Sequence, residues 1–228
     1  TEQAYEIDGY TNLEELSCRL LYPVMVKPCD GSGSRGASRV DISAQLKAAC
    51  QYAMKNSITH RAEIESFIDG KEYGAESLVI NGKICVLGIM QKWMTKPPYY
   101  AELGHSIPTD LTTEVEEKAT RYVYNAIKAL GINHGSVNMD MLITKEGKIH
   151  IIDIGARMGG NMIGPCIIPY GTGIDYMGAM IQNAVADPID LKSDEYTAVA
   201  TKLLAFKEGI VQYLPDIAVS YTHLRAHE

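Results

Sequence analysis

The chain has 228 residues, of which 46% are hydrophobic and 21% are charged, and its formal net charge is −7. These values are ordinary for a globular protein and permit one large domain or two small lobes. The acidic balance argues against sequence-independent binding of nucleic acid, which requires a basic surface, so we expect no nucleic-acid partner.

The five cysteines are at positions 18, 29, 50, 85 and 166 and form no Cys-x-x-Cys pair. This odd number and this spacing predict neither a zinc site nor a disulfide framework, and free thiols in a reducing compartment are the simpler interpretation. No apolar run approaches the roughly 18 residues of a membrane span. The first residues also lack the pattern of a signal peptide, so we expect a cytoplasmic protein without a membrane partner.

The first third of the chain predicts a small unit of helices and strands. Caps, β-rich runs and glycines indicate a helix, a strand, a loop, a returning strand and a second helix at 12–20, 22–27, 31–36, 37–41 and 43–55. Asn12 and Ser43 are the expected N-caps of the two helices. An extended segment over 63–67 and a turn at Asp69-Gly70 follow.

The rest of the chain predicts antiparallel hairpins separated by helices. Strands over 73–80 and 83–90 are joined by Asn81-Gly82, the strongest short hairpin signal. A helix begins at Thr112 or Thr113 and continues to Leu130, where Gly131 stops it. The other predicted elements are a loop, a hairpin, a glycine-rich stretch, a helix and a strand, at 95–100, 136–154, 155–164, 174–186 and 198–206. This arrangement indicates the α+β class.

The glycine-rich loop GSGSRG at 31–36 matches the Gly-x-Gly-x-x-Gly fingerprint of dinucleotide-binding folds, but its context does not. That fingerprint must open a helix, whereas the residues after this loop alternate as a strand does. A P-loop is excluded because no Gly-Lys-Ser/Thr closes the loop, and a protein-kinase loop because Lys27 precedes it.

We interpret the loop as a flap between two strands. The residues expected to approach phosphate oxygens are Gly31, Ser32, Gly33, Ser34 and Gly36. Glycine allows the backbone N–H groups to come close to a ligand, and Lys27 supplies a positive charge at the root of the flap. A surface hairpin without a ligand is the alternative.

A second signal lies in the hairpin over 136–154. With a two-residue turn at Glu146-Gly147, the expected cross-strand pairs are Asp140 with Asp153, Leu142 with Ile151, and Asn138 with Gly155. A one-residue bulge would shift this register. Two carboxylates on one face of a sheet repel each other unless a cation lies between them, and Mg²⁺ is commonly held by one or two carboxylates plus substrate phosphates.

Arg157 follows the second acid by four residues, at the start of the glycine-rich stretch, where it could reach a developing anion. Two solvated acids on an exposed face are the alternative to a metal site. The apolar strands around the acids, VNMDML and IHIIDI, disfavour that alternative.

Five motifs, taken in this order, resemble the ATP-grasp superfamily. They are YPVMVKP at 22–28, DGSGSRGA at 30–37, ESFIDGKE at 65–72, VNMD at 137–140 and DIGARMGGN at 153–161. The resemblance implies an ATP-grasp fold of two α+β lobes with antiparallel sheets that grip the nucleotide. The small lobe with the flap would occupy 1–70, and the large lobe with the metal and substrate site would occupy 71–218. The tail at 219–228 is interpreted as non-native or disordered, and the absence of the superfamily's usual preceding domain suggests a fragment.

The resemblance also implies roles for individual residues. ATP-binding roles fall on Lys27, the flap, Glu65, Ser66, Phe67, Ile68 and Glu72, of which Glu72 would hold the ribose. Asp140 and Asp153 would hold Mg²⁺, for which Mn²⁺ is an alternative, and Arg157 would steady the transferred phosphoryl group. One departure is Gly155, where the superfamily often carries Asn. Asn138, opposite Gly155 in the predicted register, could then supply an oxygen to the metal.

The segment YAELGHSIP at 100–108 most resembles the branch of the L-amino-acid ligases, which make dipeptides and stand beside enzymes of the carbamoyl-phosphate-synthase type. On that basis Glu102 and His105 would line the substrate site, together with Gly159 and Gly160. A histidine beside a strand is also often structural, so both readings of His105 stay open.

The expected function is an ATP-dependent carboxylate–amine ligase that works through an acyl phosphate, with amino acids among its candidate substrates. Its partners would be small-molecule carboxylates and amines, and a homodimer stays open. Two other functions also stay open: an ATP-binding module without ligase activity, and a ligase of the carboxylase or purine-synthesis type.

Overall fold

The computed structural model describes residues 3–31, 33–97, 100–193, 196–204, 209, 210 and 213. They form two antiparallel sheets, one of four strands and one of six, and helices pack on each. This confirms the expected α+β class with two antiparallel sheets. Ser32, Phe206 and the tail at 219–228, for which the sequence makes predictions, lie outside the described residues.

The small sheet has the strand order β1-β4-β2-β3. Its strands are β1 (Ala4–Ile7), β2 (Val24–Pro28), β3 (Ser38–Val40) and β4 (Ala62–Ser66), and its helices are α1 (Leu13–Ser17) and α2 (Ser43–Lys55). Val24 and Val26 of β2 are buried while Met25 is only partly so, which is the alternation of a strand with one face on a core. The face of α2 that meets this core is the predicted set Leu46, Ala49, Cys50 and Ala53.

The two N-cap predictions in this lobe have different outcomes. Asn12 caps α1, accepting a hydrogen bond from the N–H three residues later at 3.2 Å, although the helix is shorter than predicted. The prediction for Ser43 is wrong, because the N-cap of α2 is Ile42, which makes no side-chain cap. The Gln45 side chain instead reaches back and accepts from the N–H of Asp41 at 2.9 Å.

The large sheet has the strand order β10-β7-β6-β5-β8-β9. Its strands are β5 (Lys71–Ile80), β6 (Lys83–Met94), β7 (Glu102–Ile107), β8 (Gly135–Ile143), β9 (Ile149–Gly155) and β10 (Val199–Ala200). Its helices are α3 (Thr113–Ala129), a π-helix (Ile163–Ile167), α4 (Ile168–Thr172) and α5 (Tyr176–Ala184). No helix in the described ranges has both the length and the apolar character needed to cross a membrane.

Each face of the large sheet packs on helices. The core beneath α3 includes Tyr73, Ala75, Val137, Met139 and Met141. The core on the opposite face, beneath the π-helix, α4 and α5, includes Leu78, Met90, Ile167, Ile168 and Tyr176. Because side chains alternate along a strand, Glu72, Glu76 and Lys92 share this second face with the apolar core. The polar part of that face is where the candidate site lies.

Local sequence signals predict several elements of this lobe correctly. Asn81 and Gly82 adopt φ of 49° and 81° and close the hairpin of β5 and β6. Thr112 caps α3, and Gly131 follows the helix with φ of 68°. No sequence signal predicts β7, the π-helix or α4. The segment IGPCIIPYGT at 163–172 contains two prolines and two glycines, a composition typical of loops, yet it forms helical turns against the sheet.

The hairpin of β8 and β9 brings the two predicted acids opposite each other, since Asp140 pairs with Asp153. The turn that closes the hairpin differs from the prediction. The N–H of Thr144 donates to the carbonyl of Lys148 at 2.9 Å, which leaves three residues in the loop. The two-residue turn predicted at Glu146-Gly147 is therefore wrong.

The longer loop displaces the register beside it by one residue. Leu142 lies opposite His150, so its predicted pairing with Ile151 is wrong. A β-bulge directly after the acid on β8 then restores the register, and Asn138 faces Gly155 as predicted. The loop and the bulge each shift the register by one residue in opposite senses, so the predicted pairing of the acids holds.

Candidate active site

A cleft of ≈ 1170 Å³ lies between the two sheets and is lined by residues of both. Most of the predicted site residues line it: Lys27, Gly31, Gly33, Ser34, Glu65, Ser66, Phe67, Ile68, Glu72, Glu102, His105, Asn138, Asp140, Asp153, Arg157 and Gly160. Gly36 and Gly159 are buried and do not line it. The cleft is larger than most small-molecule sites, which have volumes of about 300–1,000 Å³, so it has room for a nucleotide and a second ligand.

Lys27 lies in β2, just before the flap. Its Nζ is 2.8 Å from Oε1 of Glu65 and 3.1 Å from Oε1 of Glu63, both on β4, and the side chain is 23% exposed. Burial acts to lower the pKa of Lys27, but the two carboxylates outweigh it and hold the pKa above its ordinary value. The ammonium group is therefore charged at the wall of the cleft, in contact with anions that a phosphate could replace.

The flap turns between β2 and β3 through two glycines in the left-handed region. Gly33, at φ of 63°, has no atom within 4 Å of the place where a Cβ would lie. Gly36, at φ of 84°, is packed, since a Cβ there would lie 2.7 Å from Pro28 Cγ and 2.8 Å from Asn56 Cβ. Gly36 therefore packs the flap against Pro28 and Asn56, while Gly33 lines the cleft without a packing neighbour within 4 Å of its Cβ position.

Phe67 belongs to residues 65–68, the hinge that the resemblance expects to meet adenine largely through backbone groups, and its ring contacts two other parts of the chain. The guanidinium carbon of Arg39, on β3, lies 4.3 Å from the centroid of its ring. The ring of Tyr100, in the segment before β7, is 5.9 Å away at an interplanar angle of 41°. These cation–π and aromatic contacts tie β3, the strand after the flap, to the segment before β7. The resemblance implies mainly backbone contacts for this hinge, so the side-chain cluster is an addition.

Lys92, which is not among the site residues predicted from the sequence, is the centre of the charged part of the cleft. Its Nζ is 2.9 Å from Oδ2 of Asp140, 3.3 Å from Oε2 of Glu102 and 3.6 Å from Oε2 of Glu72, and its side chain is 6% exposed. Burial acts to lower the pKa of Lys92, but the three carboxylates raise it above its ordinary value. The signal that could have identified it is a lysine two residues after the apolar Met90, on the buried face of a strand.

Glu72 is the carboxylate of this cluster whose pKa responds to burial. Burial raises the pKa of Glu72, against the attraction of the Lys92 ammonium. Asp140 is 29% exposed, and Asp153 opposite it is an exposed residue. Within the described ranges no three His, Cys, Asp or Glu side chains form a ready-made metal cage. Two opposed acids without a third fit Mg²⁺, which takes its remaining ligands from water and substrate phosphates.

Glu102 and His105 lie on β7 and line the cleft. Nδ1 of His105 is 3.5 Å from Oε1 of Glu102, and the His105 side chain is 2% exposed. Burial lowers the pKa of His105, while Glu102 acts in the opposite sense. The side-chain amide of Asn161 also donates to Glu102. Lys92 and Asn161 hold Glu102 in the wall of the cleft, whereas Nδ1 of His105 has no hydrogen-bond partner among the described residues.

Arg157 and the glycine-rich stretch follow β9 directly. The guanidinium of Arg157 donates to the carbonyl of Met158 at 2.9 Å, and its side chain is exposed at the cleft. Gly159 is buried, and its N–H donates to both carboxylate oxygens of Glu76 at 3.1 Å and 3.2 Å. Burial raises the pKa of Glu76 to about 7, against its hydrogen-bond donors and the charge of Arg157. Glu76, like Lys92, is not among the site residues predicted from the sequence.

A sequence profile described as the ATP-grasp domain matches residues 20–165, which is more than half of the chain and includes every strand of the two sheets except β1 and β10. The chain belongs to the ATP-grasp family. Its resemblance to that superfamily is thereby confirmed, and the fold and the cleft can be compared with those of relatives.

Three relatives place this ATP-grasp chain among known proteins. An L-amino acid ligase from Bacillus licheniformis superimposes with a TM-score of 0.67 at 32% identity, over 80% of this chain and 42% of that one. A D-alanine–D-alanine ligase of Acetivibrio thermocellus is 28% identical over 64% of this chain and 40% of its own length. An uncharacterized protein of Sinorhizobium fredii is 28% identical over 92% of this chain and 45% of its own. The chain spans about half the length of the curated relatives that it matches.

Proposed function

We propose that this chain is the nucleotide-binding and catalytic part of an ATP-dependent ligase that joins a carboxylate to an amine through an acyl phosphate. One observation carries the proposal. The cleft sets the flap and Lys27 on one wall, and the opposed Asp140 and Asp153 with Arg157 on the other. A triphosphate between these walls would meet cationic and N–H donors on one side and a metal-binding pair on the other.

The residues of the small lobe fit the nucleotide. The flap presents backbone N–H groups and Ser34 to phosphate, and Lys27 presents its charge. The hinge residues Ser66 and Phe67 line the cleft beside Glu72, where a base and a ribose would lie. Asp140 and Asp153 would hold Mg²⁺, which would neutralise the phosphate oxygens during transfer. The use of Mn²⁺ and a ligand role for the Asn138 oxygen stay predictions.

The proposed reaction has two steps. A substrate carboxylate oxygen attacks the γ-phosphorus of ATP, the bond from that phosphorus to the bridging oxygen breaks, and an acyl phosphate and ADP form. An amine nitrogen then attacks the acyl carbon, loses a proton and expels phosphate. The protein would contribute mainly position and charge, with Arg157 and Lys27 beside the transferred group and the flap excluding water.

We further propose an amino acid as the amine substrate. Glu102 lines the cleft beside the Lys92 ammonium group and the Asn161 amide, and a carboxylate there can accept from a substrate ammonium group. The likeness to an L-amino acid ligase at 32% identity supports the same class. A cytoplasmic location and a homodimer stay predictions.

Phosphate release by the intact parent protein tests this function. We expect release that requires ATP, Mg²⁺ and an amino acid together, with ADP and a ligated product in equal amounts. Arms with bicarbonate or formate in place of the amino acid distinguish a ligase of the carboxylase or purine-synthesis type. ATP binding without acceptor-dependent ADP formation would contradict the ligase and favour an ATP-binding module. Gly155, which has no side chain to offer a metal, is the observation that favours that alternative.

Replacing Arg157 with alanine tests the proposed transition-state charge. We expect kcat to fall about 100-fold or more, as when a preorganised donor to a developing anion is removed, with a small change in the KM for ATP. The matched control is Arg121→Ala on the outer face of α3, where the arginine is 65% exposed. Unaltered turnover in Arg157→Ala would remove Arg157 from the mechanism.

A further inference from the structure

Glu76 is a carboxylate with no exposed surface, held at the junction of three elements. Oε1 accepts from the hydroxyl of Tyr176 on α5 at 2.7 Å. Oε2 accepts from the side-chain amide of Asn138 on β8 at 3.0 Å. Both oxygens accept from the N–H of Gly159 in the glycine-rich stretch. All three partners are donors, so an ionised carboxylate is satisfied on every side.

The burial of this carboxylate is unfavourable for the stability of the sheet. A buried charge is tolerated only when it is fully hydrogen-bonded, and an apolar side chain of similar size is often as stable or more so. The neighbouring position on the same face, Leu78, shows the apolar solution, since it is buried in the core with Tyr176. Glu76 therefore contributes through the groups that it holds in position, and not through the stability of the sheet.

The packing around Gly159 shows what is held. A Cβ on this residue would lie 2.8 Å from Nδ2 of Asn138, 2.8 Å from Cδ1 of Ile163 and 2.9 Å from Oε2 of Glu76. The backbone of the glycine-rich stretch thus lies directly on the carboxylate, and a Cβ there would have to displace the Asn138, Ile163 or Glu76 side chain. This contact fixes the stretch at a point two residues after Arg157 and two residues before Asn161.

Glu76 also determines the orientation of the Asn138 amide. Because the amide nitrogen donates to Glu76, and lies 3.5 Å from the carbonyl of Ala75, the amide oxygen is directed elsewhere. Asn138 lines the cleft and stands opposite Gly155. One buried carboxylate therefore controls both the glycine-rich stretch and a polar side chain in the wall of the cleft.

We propose that Glu76 is a positioning residue of the ligase reaction, which holds the stretch from Arg157 to Asn161 in the geometry needed for transfer. The expected loss of catalysis rests on the proposed function. The expected loosening of the glycine-rich stretch rests on the hydrogen bonds of Glu76. Glu76 lies behind Gly159 and acts through Arg157 and Asn161, which line the cleft.

Glu76→Gln in the intact parent protein is the decisive variant. It keeps the size of the side chain but places an NH₂ group among three donors, so at least one hydrogen bond is lost. We expect kcat to fall about 100-fold, the effect of a displacement of about 1 Å in a catalytic group, with the KM for ATP changed by less than about threefold because the nucleotide contacts are intact. Tyr176→Phe removes one donor and should give a smaller loss of kcat.

Two matched control variants distinguish a loss of positioning of the glycine-rich stretch from a general loss of stability. Tyr73→Phe removes a buried hydroxyl that donates to Asp110 at 2.6 Å on the opposite face of the same strand. Glu117→Gln changes an exposed carboxylate on α3. Both should leave kcat unchanged at temperatures where the protein is fully folded. If Tyr73→Phe lowers kcat as much as Tyr176→Phe, a general loss of stability explains the effect and the proposal is overturned.

Amide hydrogen exchange at Gly159 gives a readout that does not depend on activity. We expect faster exchange of this N–H in Glu76→Gln and in Tyr176→Phe, while the amides of the β5 and β6 ladder are unchanged. Equal acceleration of all protected amides, or a freed Gly159 with normal kcat, would overturn the proposal. If the wild-type parent shows no acceptor-dependent phosphate release, the proposed ligase function fails. Exchange at Gly159 then still decides whether Glu76 fixes the stretch.

Discussion

The two lysines of the cleft, one on each sheet, are held in different ways. Lys27 on the small sheet is 23% exposed and pairs with two carboxylates of one neighbouring strand. Lys92 on the large sheet is 6% exposed and contacts carboxylates from three other strands, β5, β7 and β8. The first arrangement leaves a charge that a ligand can reach. The second neutralises acids that could not otherwise lie side by side in a partly buried wall.

Lys92→Met should have the largest effect on stability. It leaves Glu72, Glu102 and Asp140 without their shared cation in a wall that is largely buried. Loss of one partner of a buried ion pair destabilises by about 3–5 kcal/mol, which chemical denaturation of the folded chain would measure. Lys92→Arg is the control that keeps the charge. A change in the free energy of unfolding below about 1 kcal/mol would show that the cluster is solvated as a surface pair is.

Lys27→Met, unlike Lys92→Met, should weaken the binding of ATP more than it lowers the stability of the fold. A hydrogen bond to a charged group contributes about 1.5–3 kcal/mol, so the Kd for ATP with Mg²⁺ should rise roughly 10- to 100-fold in calorimetric titration. The free energy of unfolding should change by less than about 1 kcal/mol. Lys47→Met on the exposed side of α2 is the control. An unchanged Kd would exclude Lys27 from phosphate binding.

The smallest effect should be the difference in stability between alanine variants of the two flap glycines, which thermal unfolding can resolve. Gly36→Ala combines a left-handed φ with a contact of 2.7 Å, so we expect a loss of roughly 1–3 kcal/mol. Gly33→Ala keeps only the backbone strain, because nothing lies within 4 Å, and should lose about 1 kcal/mol. Nucleotide affinity should fall in Gly33→Ala, which faces the cleft. Equal destabilisation by the two variants would show that the flap is not seated on Pro28 and Asn56.

The sequence predicts the parts of the fold that are set by local backbone chemistry. The hairpin at Asn81-Gly82 needs two residues with positive φ, and the helix after Thr112 needs an oxygen at its N-cap. The pairing of Asp140 with Asp153 is also predicted, but through a turn and a register that are both wrong near the loop. The alternation of buried and polar residues defines the two strands well, whereas turn length and bulge position depend on packing.

By itself, the sequence determines the class of the fold, the flap between two strands, the opposed acids and the family resemblance, because each depends on residues close together in the chain. Only the tertiary structure decides which charges share a site. Lys92 acquires its partners from three other strands, at positions 72, 102 and 140, and Glu76 meets a helix residue that is 100 positions away. The physical reason is that these charges become buried only when the sheet and its helices have assembled. Burial makes an unpaired charge costly and strengthens the interaction between paired charges.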